Sequence, residues 1–78
     1  MNEKELVDFI AKSLVDEADK VQVNVVESEK STILELSVAE GDIGKIIGKH
    51  GRIAKAIRSV LGAVSNKGNK RVLLDIMD

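Results

Sequence analysis

The residues of this 78-residue chain best suited to chemistry lie between Ile46 and Arg52, where the sequence reads IIGKHGR and two glycines flank a basic pair. Because glycine has no Cβ, a Gly-x-x-Gly turn between two helices can adopt backbone angles closed to other residues and let a phosphate approach the main chain. The free N–H groups of the next helix carry roughly half a positive charge from the helix dipole, and Lys49 and His50 lie beside them. The pattern predicts a contact site for a nucleic-acid backbone.

A purely structural interpretation of the two glycines is also open, because Gly-x-x-Gly occurs by chance and glycine commonly ends helices. The surrounding charge favours function. The stretch from 45 to 58 holds no acidic residue and five basic ones: Lys45, Lys49, Arg52, Lys55 and Arg58. A helix face that only contacts solvent usually carries both acidic and basic side chains.

Length and composition restrict the class of protein. A chain of 78 residues, 44% hydrophobic and 32% charged, is typical of one soluble globular domain spanning 1–78, with a single modest core. No apolar run approaches the roughly 20 residues of a membrane span, and the N-terminal residues MNEKE lack the chemistry of a secretory signal. We therefore expect a cytoplasmic protein that contacts no membrane.

Cysteine and histidine content argues against a metal centre. The absence of Cys agrees with a reducing compartment and excludes disulfides and thiolate metal sites. The presence of only one His argues against a zinc site of another kind. The sequence predicts neither a metal ion nor a cofactor.

Charge is distributed unevenly along the chain although the net charge is only −1. Residues 1–40 contain ten acidic and four basic side chains, net −6, whereas residues 41–78 contain three acidic and eight basic ones, net +5. A protein of this kind can bind a polyanion with one face while the other keeps it soluble. The acidic pI of about 5.8 therefore does not argue against nucleic acid.

The first predicted element is a helix over Glu3–Asp16. Asn2 is a good N-cap, and Glu5 three residues later completes a capping-box pattern. Phe9, the single aromatic residue, lies near the edge of the apolar stripe. That stripe has helical spacing and consists of Leu6, Val7, Ile10, Ala11 and Leu14. We expect this helix to cover a sheet.

Two strands are predicted next. Residues 21–25 alternate apolar and polar types and are rich in β-branched side chains, which is typical of a half-buried strand. Residues 32–38 alternate again, with Leu34 and Leu36 facing one side. The polar segment 27–31 between them indicates an antiparallel hairpin whose turn type stays open.

Two helices are predicted on either side of the glycine loop. Residues 40–42 resemble a helix entry, with carboxylates that favour the first turn. The short helix that follows carries isoleucines at helical spacing and ends at Gly48. A second helix begins after Gly51, and its predicted apolar face consists of Ile53, Ile57, Val60, Leu61 and Val64.

The C-terminal part contains one more predicted strand. Gly62 costs its helix about 1 kcal/mol relative to Ala, which favours fraying or an early end. Residues 65–69 are turn formers and predict a loop. Residues 71–77 are apolar enough for a strand shielded on much of both sides. The predicted order is helix, strand, strand, helix, Gly-x-x-Gly, helix, strand, which is an α+β protein.

This order, together with the stretch from Ile46 to Arg52, resembles a K-homology (KH) domain of the second, bacterial-type topology. The resemblance covers essentially the whole chain. Residues 51–58 (GRIAKAIR) are similar to those of the small bacterial KH proteins of the KhpA type, which consist of one such domain and little else. The resemblance implies a type II KH fold, in which a three-stranded mixed sheet is covered on one face by three helices.

The resemblance also implies a groove for about four unpaired nucleotides, walled by the Gly-x-x-Gly loop. By position, the residues that would hold the sugar-phosphate backbone are Gly48, Lys49, His50 and Gly51. The candidates for apolar contact with bases are Leu36, Ile46, Ile47 and Ala54, and periodicity leaves open which of them face the core instead. The flanking cations Lys45, Arg52 and Lys55 complete the predicted site. Many eukaryotic KH domains carry a larger aliphatic residue in place of Ala54, so the groove floor here should be smoother and less discriminating.

Other nucleotide-binding modules fit the sequence poorly. RRM and OB-type domains generally stack bases on aromatic rings, and this chain has no Trp or Tyr and one Phe on a predicted core helix. A P-loop fails because Gly44 to Gly48 is one residue too short, and His50 stands where a magnesium-binding Ser or Thr is needed.

Two other function classes remain as alternatives. Catalysis by His50 as a general base lacks support, because no Cys accompanies it and Ser59 lies two helical turns away. A protein interaction module using the same groove to meet an acidic protein is the main alternative. We expect a non-catalytic RNA-binding protein that acts as an RNA chaperone or post-transcriptional regulator. The KhpA resemblance implies a homodimer or a partnership with another KH-containing RNA-binding protein.

Overall fold

The structure is a computed structural model that describes residues 2–65 and 70–78. Its elements in chain order are α1 (Glu3–Leu14), β1 (Gln22–Glu27), β2 (Ser31–Ser37), α2 (Ile43–Ile47), α3 (Arg52–Val64) and β3 (Arg71–Ile76). Short 3₁₀ turns lie at Ala18–Lys20, Glu40–Asp42 and Lys49–Gly51. The predicted order of helices and strands is confirmed, as is the α+β class.

The strands form one mixed sheet in the order β1-β2-β3. β1 and β2 pair antiparallel with Val25 opposite Leu34, so the predicted hairpin is confirmed. β2 and β3 pair parallel with Leu34 opposite Leu74. A parallel pair needs a crossover connection, and α2, the glycine loop and α3 supply it.

The core lies between the helices and one face of the sheet. β2, at the centre of the sheet, contributes the two fully buried side chains Leu34 and Leu36. The remaining buried apolar residues come from all three helices, from β3 and from the residue before β1: Val7, Ala11, Val21, Ile46, Ala54, Ile57, Leu61 and Leu74. Among the described residues no helix is long and apolar enough to cross a membrane.

The N-terminal helix begins where predicted but ends earlier, and fewer of its apolar side chains are buried than predicted. The Asn2 side chain accepts a hydrogen bond of 2.8 Å from the Glu5 backbone N–H, which confirms the N-cap. The helix ends at Leu14, two residues before the predicted end. Phe9 is 61% exposed, because it lies two residues beyond the buried Val7 and therefore about 200° around the helix. Its predicted place near the edge of the apolar stripe is compatible with this exposure, because Phe9 lies three residues, or about 60°, from Leu6.

The helix after the glycine loop is longer and less deeply buried than predicted. α3 continues through Gly62 to Val64, so the predicted early end is wrong. Packing of Ile57 and Leu61, each under 5% exposed, outweighs the cost of about 1 kcal/mol at one glycine. Val60 and Val64 are 43% and 46% exposed, so the buried face is narrower than the apolar pattern predicts.

The last strand lies at one edge of the sheet and is shielded on one face only. Leu74 is 6% exposed, whereas Leu73 on the other face is 40% exposed, because the helices cover a single side of the sheet. The predicted shielding on both sides is therefore wrong. Most of the predicted loop at 65–69 lies outside the described residues.

Substitution of the two neighbouring leucines of β3 should separate the covered face of the sheet from the open one. We expect Leu74→Ala to lower the free energy of unfolding by about 2 to 5 kcal/mol, the usual range for a buried leucine. Leu73→Ala is the matched control and should cost under about 1 kcal/mol, because its side chain already contacts solvent. Urea denaturation measures both. Equal losses would mean that the outer face is also buried.

Candidate nucleic-acid interface

The glycine loop reverses the chain between two helices in four residues. The N–H of Gly48 donates to the carbonyl of Gly44 at 2.8 Å and ends α2. Gly48, His50 and Gly51 all have positive φ angles, of 76°, 59° and 73°. His50 and Gly51 are consecutive left-handed residues, and the turn they form sends α3 away from α2.

Glycine is required at position 48 for two separate reasons. Its ψ of 171° combined with positive φ lies in a region that is essentially restricted to glycine. A Cβ at this position would also lie 2.6 Å from Cγ1 of Ile53, which packs against the core. A Cβ at Gly51 would meet open space, so only the backbone angle favours glycine there.

Most of the predicted basic residues face solvent around this turn. Lys49, His50, Arg52 and Lys55 are exposed. In the described part of the chain, none of the three long cations among them lies within 4 Å of a carboxylate. Their positive charge therefore adds to the partial charge at the N-terminus of α3 without local compensation.

Lys45 is different from the other predicted contact residues. Its Nζ lies 3.0 Å from Oδ2 of Asp16 and 3.1 Å from Oδ1 of Asp42. Hydrogen bonds to Asp16 and then Asp42 raise the pKa of Lys45, which is already charged at neutral pH. Two carboxylates compensate this cation, so it has less charge to offer a phosphate than its position in the sequence predicts.

The predicted apolar contacts are mostly buried. Leu36 and Ile46 are completely inaccessible to solvent, and Ala54 is 4% exposed. Of the four candidates only Ile47 is substantially exposed, at 39%. The structure thus assigns three of the predicted groove residues to the core, a choice that periodicity left open, and they have almost no surface to offer a ligand.

Asp42, predicted as an acid that favours the first turn of α2, does not cap that helix. Its side chain makes no capping hydrogen bond within α2 and is 3% exposed. It instead contacts the connection after α1, which lies 25 residues earlier in the chain. No local pattern in the sequence could reveal a partner so far away.

A small cavity of about 140 Å³ between α3 and β3 was missed by sequence reasoning. Arg58 extends over it and donates from Nη2 to the carbonyl of Leu74 at 3.2 Å. Its other lining residues are apolar: Leu61, Val72, Leu73 and Leu74. Because β3 pairs only with β2, its other edge is free to present backbone donors and acceptors here. The sequence shows the charge of Arg58 but not the strand order that makes β3 an edge.

A larger cavity lies elsewhere. Its volume is about 670 Å³, and Asn2, Val25, Val64 and Lys70 are among its lining residues. These surround the C-terminal end of α3, which is about 20 Å long, so the cavity is remote from the glycine loop at the other end. Cavity size therefore does not point to the basic surface.

The crossover through two helices and a tight Gly-x-x-Gly turn, packed on a mixed sheet in the order found here, defines a type II KH domain. The family model described as "KhpA/KhpB, KH domain" matches residues 4–76. The chain belongs to this bacterial KH family, as its sequence predicted.

Relatives align over almost the full length of both chains. A protein of Borreliella burgdorferi named RNA-binding protein KhpA is 62% identical over 77 residues, covering 99% of this chain and 94% of the relative. Proteins of the same name from Clostridium acetobutylicum and Aquifex aeolicus are 60% and 48% identical, covering 95% and 96% of this chain and 99% and 95% of the relatives.

The two loop glycines should differ in their tolerance of alanine. Gly48→Ala should lower the free energy of unfolding by more than about 3 kcal/mol. Backbone strain accounts for about 1 to 3 kcal/mol of this loss, and the clash of the new Cβ with Ile53 adds to it. Gly51→Ala should cost only the 1 to 2 kcal/mol of a left-handed residue in open space. Thermal and urea unfolding of both variants measures the difference. Equal costs would contradict the close approach at Gly48.

Proposed function

We propose that the protein binds single-stranded RNA without catalysing a reaction and that its Gly48–Gly51 loop holds the sugar-phosphate backbone of about four nucleotides. The observation that carries this proposal is the loop: a tight turn of positive-φ residues with uncompensated cations exposed within it and just beyond it. The name of the relatives, RNA-binding protein KhpA, supports RNA as the ligand.

The backbone contacts follow from the loop geometry. Lys49 has helical angles and is followed by the left-handed His50, and such a pair turns successive N–H groups toward one side, an arrangement that suits anions. Arg52 and Lys55 continue the basic surface, because residues three apart are neighbours on a helix. A strand leaving the loop can therefore meet further cations along α3.

The base contacts are proposed at the free edge of β3 instead of on the buried residues expected from the sequence. Ile47 remains the one accessible apolar candidate beside the loop. The cavity under Arg58 offers aliphatic walls, a guanidinium and main-chain groups that can hydrogen-bond to a base. Base recognition of this kind does not need an aromatic ring.

We extend the proposal to the cellular role expected from the sequence, a cytoplasmic RNA chaperone or post-transcriptional regulator. Weak contacts to a few phosphates and to main-chain groups would let the protein bind and release many RNAs.

We also propose that the protein pairs with a second copy or with another KH-containing RNA-binding protein. A site for so few nucleotides gains usable affinity when two are linked. The exposed apolar side chains of α1 and α3, Phe9, Val60 and Val64, are candidates for contact with such a partner. If the domain instead uses its groove for an acidic protein, a short unstructured RNA should fail to compete that protein off.

Replacement of Lys49 and His50 together by Asp should abolish most of the binding and leave the fold intact. Both side chains are exposed, and Asp tolerates the left-handed angles of His50. Each close like-charge pair costs about 1 kcal/mol in water and several times that near a protein surface, so affinity should fall at least tenfold. Fluorescence anisotropy with a short unstructured RNA measures affinity, and circular dichroism checks the fold.

The matched control is Lys20→Asp with Lys30→Asp, because both lysines are exposed and lie in turns away from the loop. This control changes the net charge by more than the test variant, so a smaller loss of affinity would locate the effect at the loop. The parent should show a log-log salt slope of about −2, from roughly 0.7 per phosphate for three contacts. A folded loop variant that binds like the parent would overturn the proposed function.

The form of the RNA gives a second check. An oligonucleotide should bind more tightly as a single strand than after annealing to its complement, because bases must leave the stack to reach the edge of β3. Competition titrations of the two forms at one salt concentration measure the ratio. Equal or tighter binding of the duplex would indicate a nonspecific basic patch.

A further inference from the structure

Asp42 is the single buried charged side chain among residues 2–65 and 70–78, with 3% exposure. Its Oδ1 accepts from the backbone N–H of Asp16 at 3.3 Å and from Nζ of Lys45 at 3.1 Å. Its Oδ2 accepts from the backbone N–H of Glu17 at 3.1 Å. Three donors thus stabilise the buried carboxylate, and removing it would take the acceptor from the N–H groups of Asp16 and Glu17, whereas Lys45 would keep its bond to the Asp16 side chain.

These hydrogen bonds join the connection after α1 to the start of α2, two segments that are distant in the sequence. Asp16 and Glu17 follow the end of α1, whereas Asp42 immediately precedes α2. With only five residues, α2 is too short to be stable by itself, so its position depends on contacts with the rest of the protein. One such contact is the buried Ile46, and Asp42 is the other anchor, at the end where α2 begins.

The anchored helix leads directly into the loop. α2 ends at Gly48, so any tilt or fraying of its five residues moves the residues that follow. The loop has little room to move toward α3, because the space beside Gly48 is so narrow that a Cβ there would lie 2.6 Å from the Ile53 side chain. The orientation of the loop therefore depends on how firmly α2 is held.

The ionisation of Asp42 keeps this contact intact at neutral pH. The hydrogen bond from the Glu17 N–H lowers the pKa of Asp42, burial opposes the shift, and bonds from Lys45 and Asp16 lower it further. A carboxyl group with a lowered pKa in the folded state stabilises the fold above its ordinary pKa and loses this effect as the pH falls through the lowered value. The anchor is thus complete over the physiological range.

We propose that Asp42 is a positioning residue for RNA binding: it ties the connection after α1 to the start of α2 and thereby fixes the direction in which Lys49 and His50 face. This inference rests on the proposed function of the loop. Asp42 itself is buried and negatively charged, so it does not contact the RNA.

The sign of the charge effect makes the proposal testable. Asp42→Asn keeps the size of the side chain, removes one negative charge and should by electrostatics alone slightly raise affinity for a polyanion. A loss of affinity in the folded variant would therefore have the opposite sign to the charge effect and would indicate a change in the orientation of the loop. A purely structural role would lower the melting temperature and leave the affinity of folded molecules unchanged.

The experiment compares the parent, Asp42→Asn and Glu29→Gln at a temperature where each is more than about 95% folded. Glu29 is exposed in the turn between β1 and β2, so its variant carries the same charge change without the anchor. We expect Asp42→Asn to weaken binding of a short unstructured RNA at least fivefold and Glu29→Gln to bind as well as the parent or better. Equal affinities of the two variants would overturn the proposal.

Amide hydrogen exchange without RNA separates this proposal from the proposed function. In Asp42→Asn the amides of Gly48 and Gly51, which donate to the carbonyls of Gly44 and Gly48, should exchange at least fivefold faster than in Glu29→Gln, with β2 unchanged. Should Asp42→Asn fail to fold, Lys45→Met removes one donor to the carboxylate and should accelerate the same amides relative to Lys20→Met. Unchanged exchange would refute the positioning role, whereas a parent that binds no RNA would refute the proposed function alone.

Discussion

The close approach of Gly48 to Ile53 is the constraint on which the arrangement of the two central helices depends. A Cβ at Gly48 would lie 2.6 Å from the Ile53 side chain, so the end of α2 packs directly against the first turn of α3. Ile53 in turn packs on the core, which connects the exposed loop to the interior through one side chain. This contact holds the exposed loop against the interior of the protein. A binding loop that is ordered before its ligand arrives loses less conformational entropy on binding.

The distribution of charge on the folded protein does not simply follow the acidic and basic halves of its sequence. Asp16, from the acidic half, reaches Lys45 in the basic half and, with Asp42, compensates its charge. Among the predicted contact residues, the cations without a carboxylate partner within 2–65 and 70–78 are consequently those at and beyond the loop, Lys49, Arg52 and Lys55. Positive charge is thereby concentrated on the N-terminal side of α3, where the helix dipole has the same sign. The acidic first half of the sequence therefore helps to define the basic surface.

Periodicity and capping chemistry predicted the elements and their order because these signals are local. The Asn2 cap, the alternation around Leu34 and the helix end at Gly48 each depend on neighbours within a few residues. The features that were missed depend on distant partners. Burial of Asp42 requires the connection after α1, and the cavity at Arg58 requires β3 to be an edge strand. The same limit explains Val60 and Val64, since an apolar pattern shows which face could be buried but not how much of it is covered.

Burial of Leu36, Ile46 and Ala54 also bears on selectivity for bases. Residues that fill the core cannot be substituted without a cost in stability. A base preference that depended on them would therefore be difficult to change. The accessible groups of the cavity between α3 and β3 are of another kind: main-chain atoms at the edge of β3, aliphatic carbons and the guanidinium of Arg58. Main-chain and aliphatic groups accept bases of similar shape with little discrimination, whereas Arg58 can donate to particular base edges. Selectivity in the proposed RNA complex would then depend mainly on Arg58, while the loop supplies affinity through contacts that every nucleotide provides.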